Sequence, residues 1–276
     1  MNEIEFSRLI FLGDSNADNG NVWQLTRQTH PQPSSTYWHG RYSNGKVWAD
    51  YLAELIDSEA INLAYGCATI DNSIVAGTVP MPDGQRVEVP SLMDQINILQ
   101  SRVRQLSSSD LVFVQVGSND LNSLVDTGPL YRRKCEYSPQ KLAKRLGQAV
   151  RHLCTKLDVH NVVVMNVRPR EDYPAIVALK SAQLRRQTLR DTAQFNQILS
   201  SEVAQLQDEL GPKYHLLLFD TYTAQKKIAL VTDPQTGKLV SDPDLFIDGC
   251  HLGSRAQKEI YVQILDAITS KIKLAT

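Results

Sequence analysis

The chain has 276 residues, 42% hydrophobic and 21% charged, an ordinary globular composition with enough apolar material for a sizeable core. Lysine plus arginine (29) against aspartate plus glutamate (30) leaves a net charge of -1, so no global positive field is available to hold a nucleic acid. Apolar runs such as Leu111-Val112-Phe113-Val114 stop at four residues, far short of the ~20 that cross a bilayer, and no membrane-spanning segment is expected. Glu3, Glu5 and Arg8 interrupt the first ten residues, which lack a secretory apolar region. As written, the sequence reads as cytoplasmic, or as secreted if a signal has been removed. Cys67, Cys135, Cys154 and Cys250 contain no C-x-x-C pair and are too sparse for a disulfide scaffold or a zinc site.

In chain order, Arg8 to Gly13 predicts a strand, followed by a long loop from Ala17 to Ser43. Ala60 to Ala64 predicts a second strand and Asp71 to Pro90 a second long loop, both loops being rich in Asn, Gly, Pro and Ser. Ser91 with Asp94 forms a capping box ahead of Leu92, Ile96, Leu99, Val103 and Leu106 at helical spacing. A third strand falls at Asp110 to Val116, and a helix carrying Leu142, Leu146, Val150, Leu153 and Leu157 comes next. Basic residues on that helix lie opposite the leucines and read as a solvated face. Asn161 to Val167 is a fourth strand, Phe195 to Leu210 a helix stopped by Gly211 and Pro212, and Tyr214 to Asp220 a fifth strand. The last helix opens at Ser254, with Gln257 as the partner of a second capping box, and carries Ile260, Ile264 and Ile268.

Short, continuously apolar strands separated by long amphipathic helices predict an α/β domain with a parallel sheet. No repeat or linker divides the chain, so residues 1–276 are expected to form a single domain.

Three polar clusters follow predicted strands: Gly13-Asp14-Ser15-Asn16, Gly117-Ser118-Asn119-Asp120, and Asp248-Gly249-Cys250-His251. Open α/β sheets bind ligands at the carboxyl ends of their strands. A serine hydroxyl is a weak nucleophile at neutral pH, and a histidine base oriented by a carboxylate is the means of activating it. The spacing of three from Asp248 to His251 lets the carboxylate fold back to Nδ1 and leaves Nε2 to face Ser15. Asp14 and Asp120 read as backbone acceptors that shape their turns.

These clusters resemble the sequence blocks of the GDSL-type esterases of the SGNH hydrolase family. The first block is Gly13 to Asn21, the second Asn62-Leu63-Ala64-Tyr65-Gly66-Cys67-Ala68-Thr69, the third Gly117 to Asp120, and the last Asp248 to His251. The stretch from Arg41 to Trp48 is similar to one in larger members that act on carbohydrate or lipid esters. The resemblance implies a flavodoxin-like three-layer αβα sandwich on a five-stranded parallel sheet, with Ser15 as nucleophile and Asp248 and His251 completing a triad. It implies an oxyanion hole built from the Ser15 N–H, the Asn119 amide and a backbone N–H at Gly66 or Cys67. The family's glycine falls at Cys67, which is expected to serve if its φ is not positive. Asn16 stands where the family usually carries leucine.

A metal- and cofactor-free acyl transfer from a small-molecule, carbohydrate or lipid ester is thus expected. Trp38 and Trp23, with Tyr37 and Tyr42 nearby, suggest a stacking platform for a sugar, with Arg41 among its polar contacts. Trp38, Arg41 and Tyr42 are the candidate substrate-binding residues, and short acyl groups, acetyl above all, on a polar alcohol are expected. A lipase, lysophospholipase or acyltransferase of the same family is the alternative, and a non-catalytic flavodoxin-like binding protein the alternative of another class. The sequence is silent on oligomeric state.

Overall fold

A computed structural model describes residues 6–271, apart from 33, 35, 56–58, 126–128 and 233–236. The chain runs β1 (Arg8–Gly13), α1 (Asn21–Leu25), α2 (Trp48–Ala53), β2 (Glu59–Asn62), β3 (Val75–Pro80), β4 (Arg86–Glu88) and α3 (Leu92–Arg102). It continues through β5 (Asp110–Gln115), α4 (Ser118–Asn122), β6 (Tyr131–Arg133), α5 (Pro139–Leu157), β7 (Asn161–Met165), α6 (Pro174–Ala178) and α7 (Ala182–Leu210). The last elements are β8 (His215–Phe219), α8 (Thr221–Ile228), the hairpin β9 (Leu230–Thr232) and β10 (Leu239–Ser241), and α9 (Ser254–Lys271).

Strands β2-β1-β5-β7-β8 form one parallel sheet in that order, the doubly wound arrangement expected from the alternation of apolar strands and helices. Side-chain alternation sends Ile10, Leu12, Val112, Val114, Val162 and Val164 into one layer with α3, α5 and α7. The other layer packs Leu9, Phe11, Leu111, Phe113, Val163 and Met165 against α2 and α9. Because β2 lies on one side of β1 and the later strands on the other, the chain reverses direction across the sheet between β1 and β5. The carboxyl ends of those two strands therefore border a crevice.

Five local expectations change. Residues 71–90 are no plain loop, since β3 and β4 join β6 in a three-stranded antiparallel sheet. The β-branched Val75, Thr78 and Val79 and the turn around Gly84 carry that sheet; the glycine and proline content of the stretch hides it. Within residues 17–43, α1 and a 3₁₀ turn at Trp38–Gly40 appear. The helix expected from Phe195 starts at Ala182, and α3 stops at Arg102, leaving Leu106 outside. No capping box forms at Ser254: its N–H is capped by Asn44 Oδ1 at 2.8 Å, and Gln257 Oε1 accepts the Trp48 N–H at 3.3 Å. Long-range partners displace the local motif there.

Candidate active site

Gly13 ends β1 where a Cβ would lie 2.4 Å from the Gln115 carbonyl oxygen, so only glycine fits so close to β5. Gln95 clamps this corner, accepting the Gly13 N–H at 2.7 Å and donating to its carbonyl at 2.9 Å. Asp14 then turns the chain by accepting the Asn16 N–H at 3.0 Å and the Asn16 amide at 2.6 Å, so Asn16 tightens the turn in leucine's place. Ser15 emerges at the strand's end.

The turn after Asp248 brings its carboxylate to the histidine. Asp248 Oδ1 accepts the N–H groups of Cys250 and His251 at 2.8 and 2.7 Å, while Oδ2 lies 2.7 Å from His251 Nδ1. His251 Nε2 is 2.9 Å from Ser15 Oγ. The unbroken chain Asp248, His251, Ser15 therefore joins residues 236 positions apart. Although burial opposes ionisation, the imidazole and the two N–H donors hold the Asp248 carboxyl well below the usual range. Burial pulls His251 down, but Cys250 and Asp248 outweigh it and raise the imidazole to about 10. Cys250 Sγ lies 3.5 Å from Nδ1. Asp248, Cys250 and His251 are the described residues whose donor atoms cluster as a metal site requires, within 4.8 Å. The Asp248 and His251 atoms among them already hold the hydrogen-bond chain to Ser15.

The second block is tied to the first by a buried acid. Asp18 accepts the N–H groups of Gly20, Asn21 and Gly66 at 2.8, 2.6 and 2.8 Å, and burial raises its carboxyl to about 6 despite these donors. The Gly66 N–H is thereby spent. Cys67 has φ 64, so the condition of a non-positive φ set on it is not met; it takes up the left-handed conformation that glycine favours, as a glycine at this position could, and its N–H is kept all the same. Its carbonyl sits 1.8 Å from where a Cβ on Gly77 would be, so β3 packs directly beneath this bend. The N–H groups of Ser15 and Cys67 meet no acceptor among the described residues.

Asn119 lies at the start of α4, 9% exposed. One amide hydrogen goes to the Ala68 carbonyl at 2.9 Å, and Oδ1 accepts the Tyr131 hydroxyl at 2.8 Å. Nδ2 thus keeps a second hydrogen. Asp120 accepts the Ile70 N–H and is raised by burial to about 7.

The contacts of two tyrosines escape sequence reasoning. Tyr37 donates to Asp248 Oδ2 at 2.9 Å, and Tyr131 comes from β6, inside the small sheet hidden by its loop-like composition. The aromatic run around Trp38 is the one signal pointing toward Tyr37. Of the three residues expected to bind substrate, Tyr42 is buried, packs against Gly66 and lies 5.0 Å from the His251 ring between centroids. Arg41 is held by Asp50 at 2.9 Å and sits over the Trp38 ring, which is 37% exposed. The three do not share one open face.

A sequence profile of the GDSL-like lipase/acylhydrolases matches residues 9–264, and the chain belongs to that family. It is 34% identical over 74 residues to the thermolabile hemolysin of Vibrio parahaemolyticus, a match covering 27% of this chain and 18% of the hemolysin. It is 31% identical over 121 residues to the phosphatidylcholine-sterol acyltransferase of Aeromonas hydrophila, covering 42% of this chain and 33% of that enzyme. The matches thus span no more than a third of these curated relatives. A crystal structure of a lipolytic G-D-S-L family member from Veillonella parvula superposes with a TM-score of 0.53 at 14% identity, covering 95% of this chain and 98% of that one. The fold is that of this family.

Proposed function

We propose that this protein transfers the acyl group of a carboxylic ester through a Ser15 acyl-enzyme. The hydrogen-bond chain from Asp248 through His251 to Ser15, with 2.7 and 2.9 Å links, is the observation that carries the reading. His251 Nε2 takes the Ser15 proton as Oγ attacks the carbonyl carbon. It then returns that proton to the leaving alcohol. Asp248 fixes the tautomer with the proton on Nδ1 and stabilises the imidazolium that forms. Water, or an acceptor alcohol, attacks the acyl-enzyme in the second half by the same route.

For the oxyanion we assign three donors: the Ser15 N–H, the Cys67 N–H and the second hydrogen of Asn119 Nδ2. Gly66 drops out because Asp18 holds its N–H. No metal or organic cofactor enters this mechanism.

The short-acyl, carbohydrate-ester expectation needs Trp38, Arg41 and Tyr42 at the substrate; of these, Tyr42 is buried, Arg41 is held by Asp50, and Trp38 offers a partly exposed ring. A lipid ester is the reading we favour over it, supported by identity to an enzyme that acts on phosphatidylcholine by name. The test is a fluorophosphonate probe with peptide mapping, run beside an ester panel from acetate to palmitate and phospholipid substrates. Label is expected on Ser15, and Ser15→Ala is expected to lose both label and turnover while keeping its circular dichroism. Label elsewhere would overturn the mechanism; preference for acetylated sugars would overturn the lipid reading.

A further inference from the structure

We infer that the corner between α6 and α7 is a docking surface for an anionic lipid bilayer. Residues 173–190 contain Lys180, Arg185, Arg186 and Arg190 and no Asp or Glu. On the same corner Val177, Leu179 and Leu189 are 43%, 59% and 41% exposed, a cluster of large aliphatic side chains that nothing among the described residues covers. Val177 and Leu189 share a groove of about 500 Å³ with Lys180, Arg185 and Arg186; its one acid, Glu171, is buried and lies 3.4 Å from Lys226, so the cations prevail there. Arg185 is partly engaged, donating to the Glu171 carbonyl and lying 3.5 Å from Asp172. Lys180 and Arg186 make no ion pair among the described residues.

Aliphatic side chains flanked by Lys180 and Arg186, two cations without an ion pair among the described residues, match one kind of partner, a surface with an apolar interior and anionic head groups. An acidic protein would account for the cations but not for the solvent-exposed leucines between them. Position supports the same occupant. The Ala175 N–H donates to the Gly249 carbonyl at 3.0 Å, and the Ala175 Cβ lies 3.0 Å from where one on Gly249 would be. Gly249 belongs to the Asp248–His251 turn, so a bilayer touching Val177 and Leu179 lies at the sheet edge where Ser15 opens. The inference rests on the lipid-ester reading for its purpose, while binding itself does not require turnover.

The experiment sediments the Ser15→Ala protein with vesicles of phosphatidylcholine, alone or mixed with phosphatidylglycerol. Binding is expected with phosphatidylglycerol present and is expected to fall as salt is raised. With each surface cation contributing about fivefold to partition, Lys180→Gln with Arg186→Gln should weaken binding about 25-fold. Val177→Ser with Leu189→Ser should weaken it further at high salt. Both pairs should leave hydrolysis of a soluble short-chain ester unchanged in the Ser15 protein. Absence of binding, or binding indifferent to these substitutions, would overturn the proposal. So would concentration-dependent self-association abolished by Val177→Ser with Leu189→Ser, which would make a second copy the occupant. Vesicle binding by a protein inactive on every ester would instead overturn the acyl-transfer reading and leave this one standing.

Discussion

Replacing Tyr131 with phenylalanine separates positioning from catalysis in the oxyanion hole. The Asn119 amide has two anchors, Oδ1 accepting from the Tyr131 hydroxyl at 2.8 Å and Nδ2 donating to the Ala68 carbonyl at 2.9 Å. Together they fix the amide plane and hence the direction of its remaining N–H. Loss of a whole oxyanion donor costs about 10²–10³ in kcat. Tyr131→Phe leaves the donor present and removes one of two restraints, so it should cost about tenfold, or ~1.4 kcal/mol of transition-state stabilisation. Leaving a buried acceptor unpaired should also lower stability by about 1 kcal/mol. Steady-state kinetics on a soluble ester should show the loss in kcat with KM nearly unchanged. In an Asn119→Ala background the same change should have no further effect on kcat, because the group it positions is gone. Full kcat in Tyr131→Phe, or additive losses in the double variant, would refute the positioning role.

Cys67→Gly should keep activity and raise stability by up to about 1 kcal/mol, since the left-handed φ of 64 suits glycine better than a residue with a Cβ; loss of kcat would show that the thiol matters. The pH dependence of kcat/KM should fall as pH drops through a limb above the ordinary His value, because His251 must be neutral to accept the Ser15 proton and its imidazole is raised to about 10. Cys250→Ser should move that limb to lower pH, and an unmoved limb would remove Cys250 from the balance.

The five parallel strands, their helices and the three clusters at the strand ends were legible in sequence. Most of this is written in local code: apolar runs for buried strands, helical spacing, and, for the Ser15 and Asn119 clusters, polar residues immediately after a strand; Asp248–His251 stands well beyond β8 and was readable through its spacing and the family resemblance. The position of Cys67 at the family's glycine was equally readable, whereas its φ was not, because the bend is imposed by Asp18 taking the Gly66 N–H and by Gly77 packing below. The small sheet of β3, β4 and β6 was missed for a related reason. Its strands are three to six residues long, their turn residues dominate composition, and β6 pairs with β3 across more than fifty intervening positions. Tyr131 was therefore invisible as a partner of Asn119, and Tyr37 as a partner of Asp248. Arg41 looked available for substrate because sequence does not reveal that Asp50, one helix away, already holds it.

Asp18 and Asp120 set stability and activity against one another in pH. Both are raised by burial, to about 6 and about 7, even though backbone N–H donors oppose the rise. A raised folded-state pKa means that the native protein binds the proton more tightly than the unfolded chain. The resulting stability is complete below the ordinary carboxyl value of 3.8 and is lost as pH rises through about 6 and about 7. With each tenfold tightening of proton binding worth ~1.4 kcal/mol, the two acids together cost several kcal/mol by neutral pH. Asp248 and His251 do not offset this between pH 5 and 8. The depressed carboxyl already gives its stabilisation in full above its unfolded value. The raised imidazole gives its own in full below the ordinary value of 6.5 and loses it from there to about 10, which adds to the decline. The melting temperature should therefore fall from pH 5 to 8, by about 2–4 °C for each kcal/mol lost, while kcat/KM climbs as His251 loses its proton. Asp120→Asn keeps an oxygen for the Ile70 N–H without the buried charge, so its melting temperature should depend less steeply on pH than that of the parent. A melting temperature that is flat across this range, or a slope unchanged by Asp120→Asn, would mean that the buried carboxyls do not carry the cost assigned to them.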